Sequence, residues 1–303
     1  MYFDAHSDIW TDVTVKREHG EKNVLKNHHL DRLRAGQVEG SIFVIWVERP
    51  DIQDYAIRTA QIKQAILDET AECDEVQIVH TVAEMKQARD AGKFYIWIGI
   101  EGMAAIGDDV SKVDEYYNFG CRHGMLTWNE KNLLGAGAAT GLTDGLTEAG
   151  KNVVKRMQQL GMLVDTSHLN EDGFWDIVDI ATAPIIASHS NCRALCDVRR
   201  NLTDDQLRAL AQTGGTVGLN LYPPFLGGRA DFDTLRAHLE HMLTLCGEDH
   251  VALGGDLDGC DELARGFTDV SSWASFYAYL QAAGYPADLL DRIFFRNLLQ
   301  LLQ

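Results

Sequence analysis

A chain of 303 residues with 46% hydrophobic and 24% charged side chains can bury a large core, which excludes the disordered and fibrous classes. Its 45 acidic against 27 basic residues give a formal charge of -18 and a pI near 4.9, so its average field repels nucleic acid and anionic membrane surfaces. Neither class of partner is expected.

The N-terminal "MYFDAHSDIW" lacks the basic-then-apolar pattern of a leader, and no stretch approaches the ~20 apolar residues of a membrane span. Six cysteines, at 73, 121, 192, 196, 246 and 260, form no CxxC pair or dense framework. They read as reduced thiols in a cytoplasmic protein, with Cys192 and Cys196 as packing residues that could share a helix face.

In chain order, short apolar runs recur: "MYFDAHSD" at the start, then 40–47, 93–102, 124–129, 161–168, 183–190, 214–222 and 251–259. Each is rich in β-branched or aromatic residues and bounded by glycine or polar residues, as buried parallel strands are. Amphipathic segments separate them. In "TDDQLRALAQTGG", Thr203 can cap a helix with Gln206 reaching back, Leu207 and Leu210 form its stripe and Gly214 ends it. Asn170 is a second candidate cap, ahead of an acidic first turn. No fixed-period repeat or Pro/Gly/Ser linker divides the chain. Eight strands alternating with helices predict one α/β domain over 1–303, a (β/α)8 TIM barrel. An open doubly wound sheet is the alternative, but no GxGxxG follows the first strand, and "GAGAATGLTDG" (135–145) reads as a barrel loop.

Barrel enzymes place their chemistry at the C-terminal strand ends. Here those ends carry His6 and Asp8, Glu101, His168, His189 and Asp256. His6 and Asp8 are two apart, so both leave an extended strand on the same side. Three imidazoles and two carboxylates suit zinc or a similar divalent ion, and five ligands with a carboxylate able to bridge suit two. Asp256 then remains as a proton carrier. Other features do not join the set. "HLEH" (238–241) lacks the HExxH spacing and reads as a solvated or packed helix. His28 and His29 read as surface residues of a polar connection, and His19, His80, His123 and His250 stand off the strand ends. Without a GxSxG elbow or a Cys–His pairing, a covalent nucleophile is disfavoured.

With "DAHSD", "IEG", "DTSH", "IIASHS", "RRN", "GGDLDG" and "NLLQLL" in view, the chain resembles the membrane (renal) dipeptidase family, the M19 metallopeptidases of the amidohydrolase superfamily. His-x-Asp at the first strand is typical of that family, where most metal-dependent amidohydrolases carry His-x-His. The resemblance implies two zinc ions, with His6 and Asp8 on one, His168 and His189 on the other, and Glu101 bridging. It further implies hydrolysis of dipeptides by a hydroxide held between the metals, Asp256 as acid/base, and Arg200 as the clamp on the substrate's terminal carboxylate. Tyr222, Trp128 and Asn129 are expected to line the substrate pocket. Trp128 departs from the mammalian pattern, which has histidine in its place; indole donates one hydrogen bond but neither accepts nor titrates. A homodimer is the assembly the resemblance allows for. Two alternatives stay open: another amidohydrolase, acting on a lactam, cyclic amide or N-acyl amino acid, and a non-catalytic binding protein.

Overall fold

The computed structural model describes residues 1–48 and 54–302. Nine parallel strands form its sheet: β1 (Tyr2–Ser7), β2 (Val38–Trp46), β3 (Val76–Ile78), β4 (Phe94–Glu101), β5 (His123–Met125), β6 (Leu163–Asp165), β7 (Ile185–Ala187), β8 (Thr216–Leu219) and β9 (Val251–Leu253). Eight of them close a barrel in the order β2-β1-β9-β8-β7-β6-β5-β4, sealed by β2 against β4 from Gly40↔Tyr95 up to Trp46↔Glu101. The ninth, β3, was not anticipated from the sequence. It pairs with the lower half of β4, from Val76↔Phe94 to Ile78↔Ile96, while β5 pairs β4 further up at Glu101↔Met125.

The alternation of side chains explains why these runs are strands. In β2, Ile42 and Val44 belong to an inner cluster with Tyr95 and Trp97 of β4, while Phe43, Ile45, Ile96 and Ile98 belong to the larger cluster beneath the helices. A strand buried on both faces reads as a continuous apolar run for this reason. Leu298 and Leu302 also join the inner cluster and plug the barrel on one side, with Phe3, Ala5, Leu163, Ile186 and Ala252 between. The opposite, C-terminal strand ends are left to polar residues.

The capping expectations hold. Thr203 accepts from Gln206 N and receives the Gln206 side chain back at the start of the helix Asp204–Gln212. Asn170 accepts from Gly173 N ahead of the helix Glu171–Ile180. One other expectation fails, and one possibility is not realised. His29 is buried, not on the surface, with Nε2 2.7 Å from Asp12 Oδ2; His28, one residue away, is exposed. Cys192 and Cys196 share no helix, because the segment between them is irregular; Cys192 N instead meets His238 Nδ1. His238 is accordingly a packed histidine, its Nε2 directed at Leu226 O.

Candidate metal centre and its pocket

The first candidate pair, His6 and Asp8, arises from a fault in the strand. Between Asp4 and Ser7, β1 advances three residues while β2 advances two, from Ser41 to Phe43. The extra residue is a bulge, which breaks the alternation that puts Phe3 and Ala5 inside and lets His6 face the barrel as well. Asp8 lies beyond the strand, at the cap of the helix Ile9–Glu18 with φ -91° and ψ 19°. Contrary to expectation, Asp8 therefore does not leave an extended strand on the same side as His6, although the two side chains do meet: His6 Nε2 is 3.4 Å from Asp8 Oδ2.

Glu101, the last residue of β4, turns its two oxygens to different imidazoles. Its Oε2 is 3.2 Å from His6 Nε2, and its Oε1 is 2.8 Å from His168 Nε2 and 3.8 Å from His189 Nε2. His168 and His189 face each other at 2.8 Å between Nε2 atoms. They lie on loops beyond β6 and β7, not at the strand ends themselves, and Asp256 likewise lies beyond β9. Asp256 Oδ1 is 3.9 Å from His6 Nε2, and its Oδ2 accepts from Asn220 Nδ2 at 3.1 Å.

Hydrogen bonds orient the rings. Asn129 Oδ1 is 2.9 Å from His168 Nδ1; a carbonyl oxygen only accepts, so that nitrogen carries the hydrogen and Nε2 keeps its lone pair for the site. Ser188 Oγ stands 2.8 Å from His189 Nδ1. The glycine-rich stretch 135–145 is a loop, as expected, and supports His168 from outside: Ala138 N donates to His168 O, and Asn170 N to Ala136 O. Gly137 has to be glycine there, because a Cβ would stand 2.2 Å from Trp128 O.

The electrostatics are those of a site built around positive charge. Burial pushes the Glu101 carboxyl up to about 8, helped by Asp8 and opposed by His6. For His6 burial works the other way, yet Glu101 and Asp8 hold its ring well above the ordinary histidine range. Burial drives His168 and His189 well below that range, with Arg200 and His6 adding to it. A divalent cation would reverse the Glu101 and His6 shifts, by keeping the carboxylate ionised and the ring neutral, and would act in the same direction as burial on His168 and His189. His6 Nδ1 and Nε2 and Asp8 Oδ1 are buried with no hydrogen-bond partner among the described residues, and His6, Glu101 and His189, or His6, Asp8 and Asp256, offer ligand atoms within 4.8 Å of one another. Ligand atoms at ~2.0–2.2 Å from one tetrahedral ion stand about 3.3–3.6 Å apart, close to the His6–Asp8 and His6–Glu101 separations. The residues present therefore fit a metal.

A cavity of ≈ 220 Å³ opens onto this cluster. Trp128, Asn129 and Tyr222 line it, as does Asp256. Trp46, Phe225, Cys260 and Asp261 line it too and were missed; Trp46, whose buried Nε1 has no partner among the described residues, closes β2 directly beside Glu101. Arg200 is set behind Phe225, with Cζ 5.2 Å from that ring. It is 8% exposed, its Nη2 donates to His189 O at 3.4 Å, and among the described residues no carboxylate lies within ion-pair distance of it.

The model of the membrane dipeptidase family (peptidase family M19) matches residues 1–303. An uncharacterized protein from the pqqA 5′ region of Klebsiella pneumoniae is 37% identical over 238 residues, 74% of this chain and 86% of the relative. An uncharacterized dipeptidase of Schizosaccharomyces pombe is 28% identical, covering 98% of this chain and 79% of its own. Among solved structures, dipeptidase AC, a metallopeptidase of family M19, superimposes with a TM-score of 0.91 at 29% identity, over 99% of this chain and 97% of that one. A metallopeptidase from Rhodobacter sphaeroides, bound to a phosphinate mimic of the dipeptide L-Ala-D-Ala, gives 0.90 at 26% identity, over 99% and 98%. The family match over the full length accounts for both the barrel and its ligand-rich rim, and the chain belongs to the membrane dipeptidase family of M19 metallopeptidases.

Proposed function

We propose that this chain, acting as a single barrel domain over 1–303, is a zinc dipeptidase with a binuclear centre. The observation that carries the reading is the position of Glu101, one oxygen toward His6 and the other toward His168 and His189. His6 and Asp8 would hold one ion and His168 and His189 the other, with Glu101 shared. Bound there, two zinc ions would supply an activated water and polarise the scissile carbonyl.

The chain's own residues do the rest. Asp256 takes the proton released by the attacking water and delivers it to the leaving amine; Asn220 holds one carboxylate oxygen and leaves the other toward the centre. Arg200, set behind Phe225, would bind the free carboxylate; supporting this, its guanidinium is buried and has no anionic partner among the described residues. Trp46, Trp128, Tyr222 and Phe225 wall the ≈ 220 Å³ cavity in which a dipeptide would sit. The phosphinate dipeptide mimic in the Rhodobacter sphaeroides relative supports the same substrate size and extends the test to a D-residue at the second position.

The six cysteines are all free, which supports a reducing, cytoplasmic setting. Among the described residues no helix is long and apolar enough to cross a membrane. A homodimer is carried forward as part of the proposal, to be read by sedimentation. The functional test is turnover of L,L- and L,D-dipeptides, tripeptides and N-acyl amino acids by zinc-loaded protein before and after chelation. Chelator-sensitive hydrolysis confined to dipeptides is expected; turnover of N-acyl compounds alone would overturn the dipeptidase reading.

A further inference from the structure

Two carboxylates outside the ligand set occupy equivalent places beneath the site. Asp4, in β1, is 1% exposed; its Oδ1 accepts the backbone N–H of His6 at 3.1 Å and of Gly255 at 2.9 Å, and its Oδ2 accepts the indole N–H of Trp273. Asp165, the last residue of β6, is equally buried; its Oδ1 accepts the N–H of Ser167 at 2.9 Å and of Ser188 at 3.1 Å, and its Oδ2 stands 2.7 Å from His123 Nε2. In both cases a single oxygen joins the residue two ahead on its own strand end to the neighbouring strand end. Ser167 adds a further tie, its Oγ accepting from His189 N at 3.1 Å.

The four N–H groups so held are not arbitrary. They belong to His6 and to the residues directly before Asp256, His168 and His189. His168 and Asp256 have φ of 68° and 54°, a left-handed conformation that residues other than glycine seldom adopt. His6 sits in the bulge. These backbones have left the strand ladder, so their N–H groups need another acceptor, and a buried carboxylate oxygen that takes two at once also fixes the spacing between adjacent loops.

We infer that Asp4 and Asp165 are positioning residues that each set one half of the metal centre: Asp4 places His6 and the Asp256 loop, and Asp165 places His168 and His189. The inference rests on the binuclear reading above. It assigns to each carboxylate the affinity of one ion, a division that a general contribution to folding would not produce.

The test is zinc binding by the full chain, read as metal content and as stepwise affinities in chelator competition. Two ions per wild-type chain are required first; a single ion refutes the binuclear reading before any variant is made. Asp165→Ala is then expected to weaken one zinc step by about 10- to 100-fold and to leave the other unchanged. Asp165→Asn is expected to restore it, since the amide oxygen can accept both N–H groups while its nitrogen donates to His123 Nε2 once that ring moves its hydrogen to Nδ1. In a His168→Ala background, which retains one ion, adding Asp165→Ala should change nothing further, whereas adding Asp4→Ala should weaken the remaining step. Equal weakening of both steps by Asp165→Ala, or wild-type affinities, would overturn the inference. If that variant does not fold, Ser167→Ala removes the tie to His189, together with a 3.4 Å contact to Ser190 Oγ, and should weaken the same step; unchanged binding there would also overturn it.

Discussion

Replacing Arg200 by methionine sets two effects of opposite sign against each other. The guanidinium is 8% exposed, its Nε has no hydrogen-bond partner among the described residues, and burial pulls its pKa down while Asp256 and Glu101 oppose this from beyond ion-pair distance. Leaving an unpaired charge in the interior costs several kcal/mol, part of which the Phe225 ring returns at about 0.5–2 kcal/mol. Methionine keeps most of the volume without the charge. Stability is therefore expected to stay level or rise by up to about 2 kcal/mol, equivalent to about 4 °C in Tm for a chain of this size. Activity should move the other way. Two charge-assisted hydrogen bonds to a substrate carboxylate are worth about 1.5–3 kcal/mol each, so kcat/KM for dipeptides should fall roughly 10²- to 10⁴-fold. Thermal unfolding and dipeptide kinetics on one zinc-loaded preparation read both quantities. A variant that melts several degrees lower yet hydrolyses dipeptides at the wild-type rate would show that Arg200 is a structural cation and refute the clamp.

Three further outcomes follow from the same geometry. Asp256→Asn should lower kcat by about 10²- to 10⁴-fold with zinc content unchanged; loss of zinc would instead make Asp256 a ligand, as its place beside His6 and Asp8 allows. For Asp12, burial raises the carboxyl but His29 and Lys16 outweigh it, holding the group down at about 2. A depressed folded-state value stabilises above the ordinary carboxylate pKa, and that contribution disappears as pH falls from about 4 toward 2. Urea midpoints should therefore drop more steeply in that window for wild type than for Asp12→Asn, and parallel curves would contradict this. Thr203→Ala removes one side of a complete capping box and should cost about 1 kcal/mol in chemical denaturation while sparing dipeptide hydrolysis; an unchanged midpoint would refute it.

The barrel and its rim were legible because burial on both faces makes a parallel strand a continuous apolar run, and a charged residue ending such a run stands out. Glu101 at the end of "FYIWIGIE" is the plainest case. What stayed hidden has three physical causes. The strand β3 is only "VQI" after a long helix, too short for any period to register. Trp46 ends its strand with an apolar side chain, so a search for polar strand ends passes over it although its register places it beside Glu101. Asp4 and Asp165 lie within the strand runs, where a carboxylate has no local partner in sequence; their partners, Gly255 and Ser188, come from neighbouring strand ends. His28 and His29 show the same limit at the scale of one helical step, since adjacent residues face opposite environments and only packing decides which is buried. The bulge in β1 is of this kind too: nothing in "FDAHSD" announces that His6 departs from the alternation.

The central claim is that Glu101 is shared between two metal ions, and anomalous diffraction at the zinc edge from crystals grown with zinc tests it most directly. Two peaks are predicted, one between Glu101 Oε2, His6 and Asp8, the other between Glu101 Oε1, His168 and His189. A single peak, or two that do not have Glu101 between them, would contradict the account.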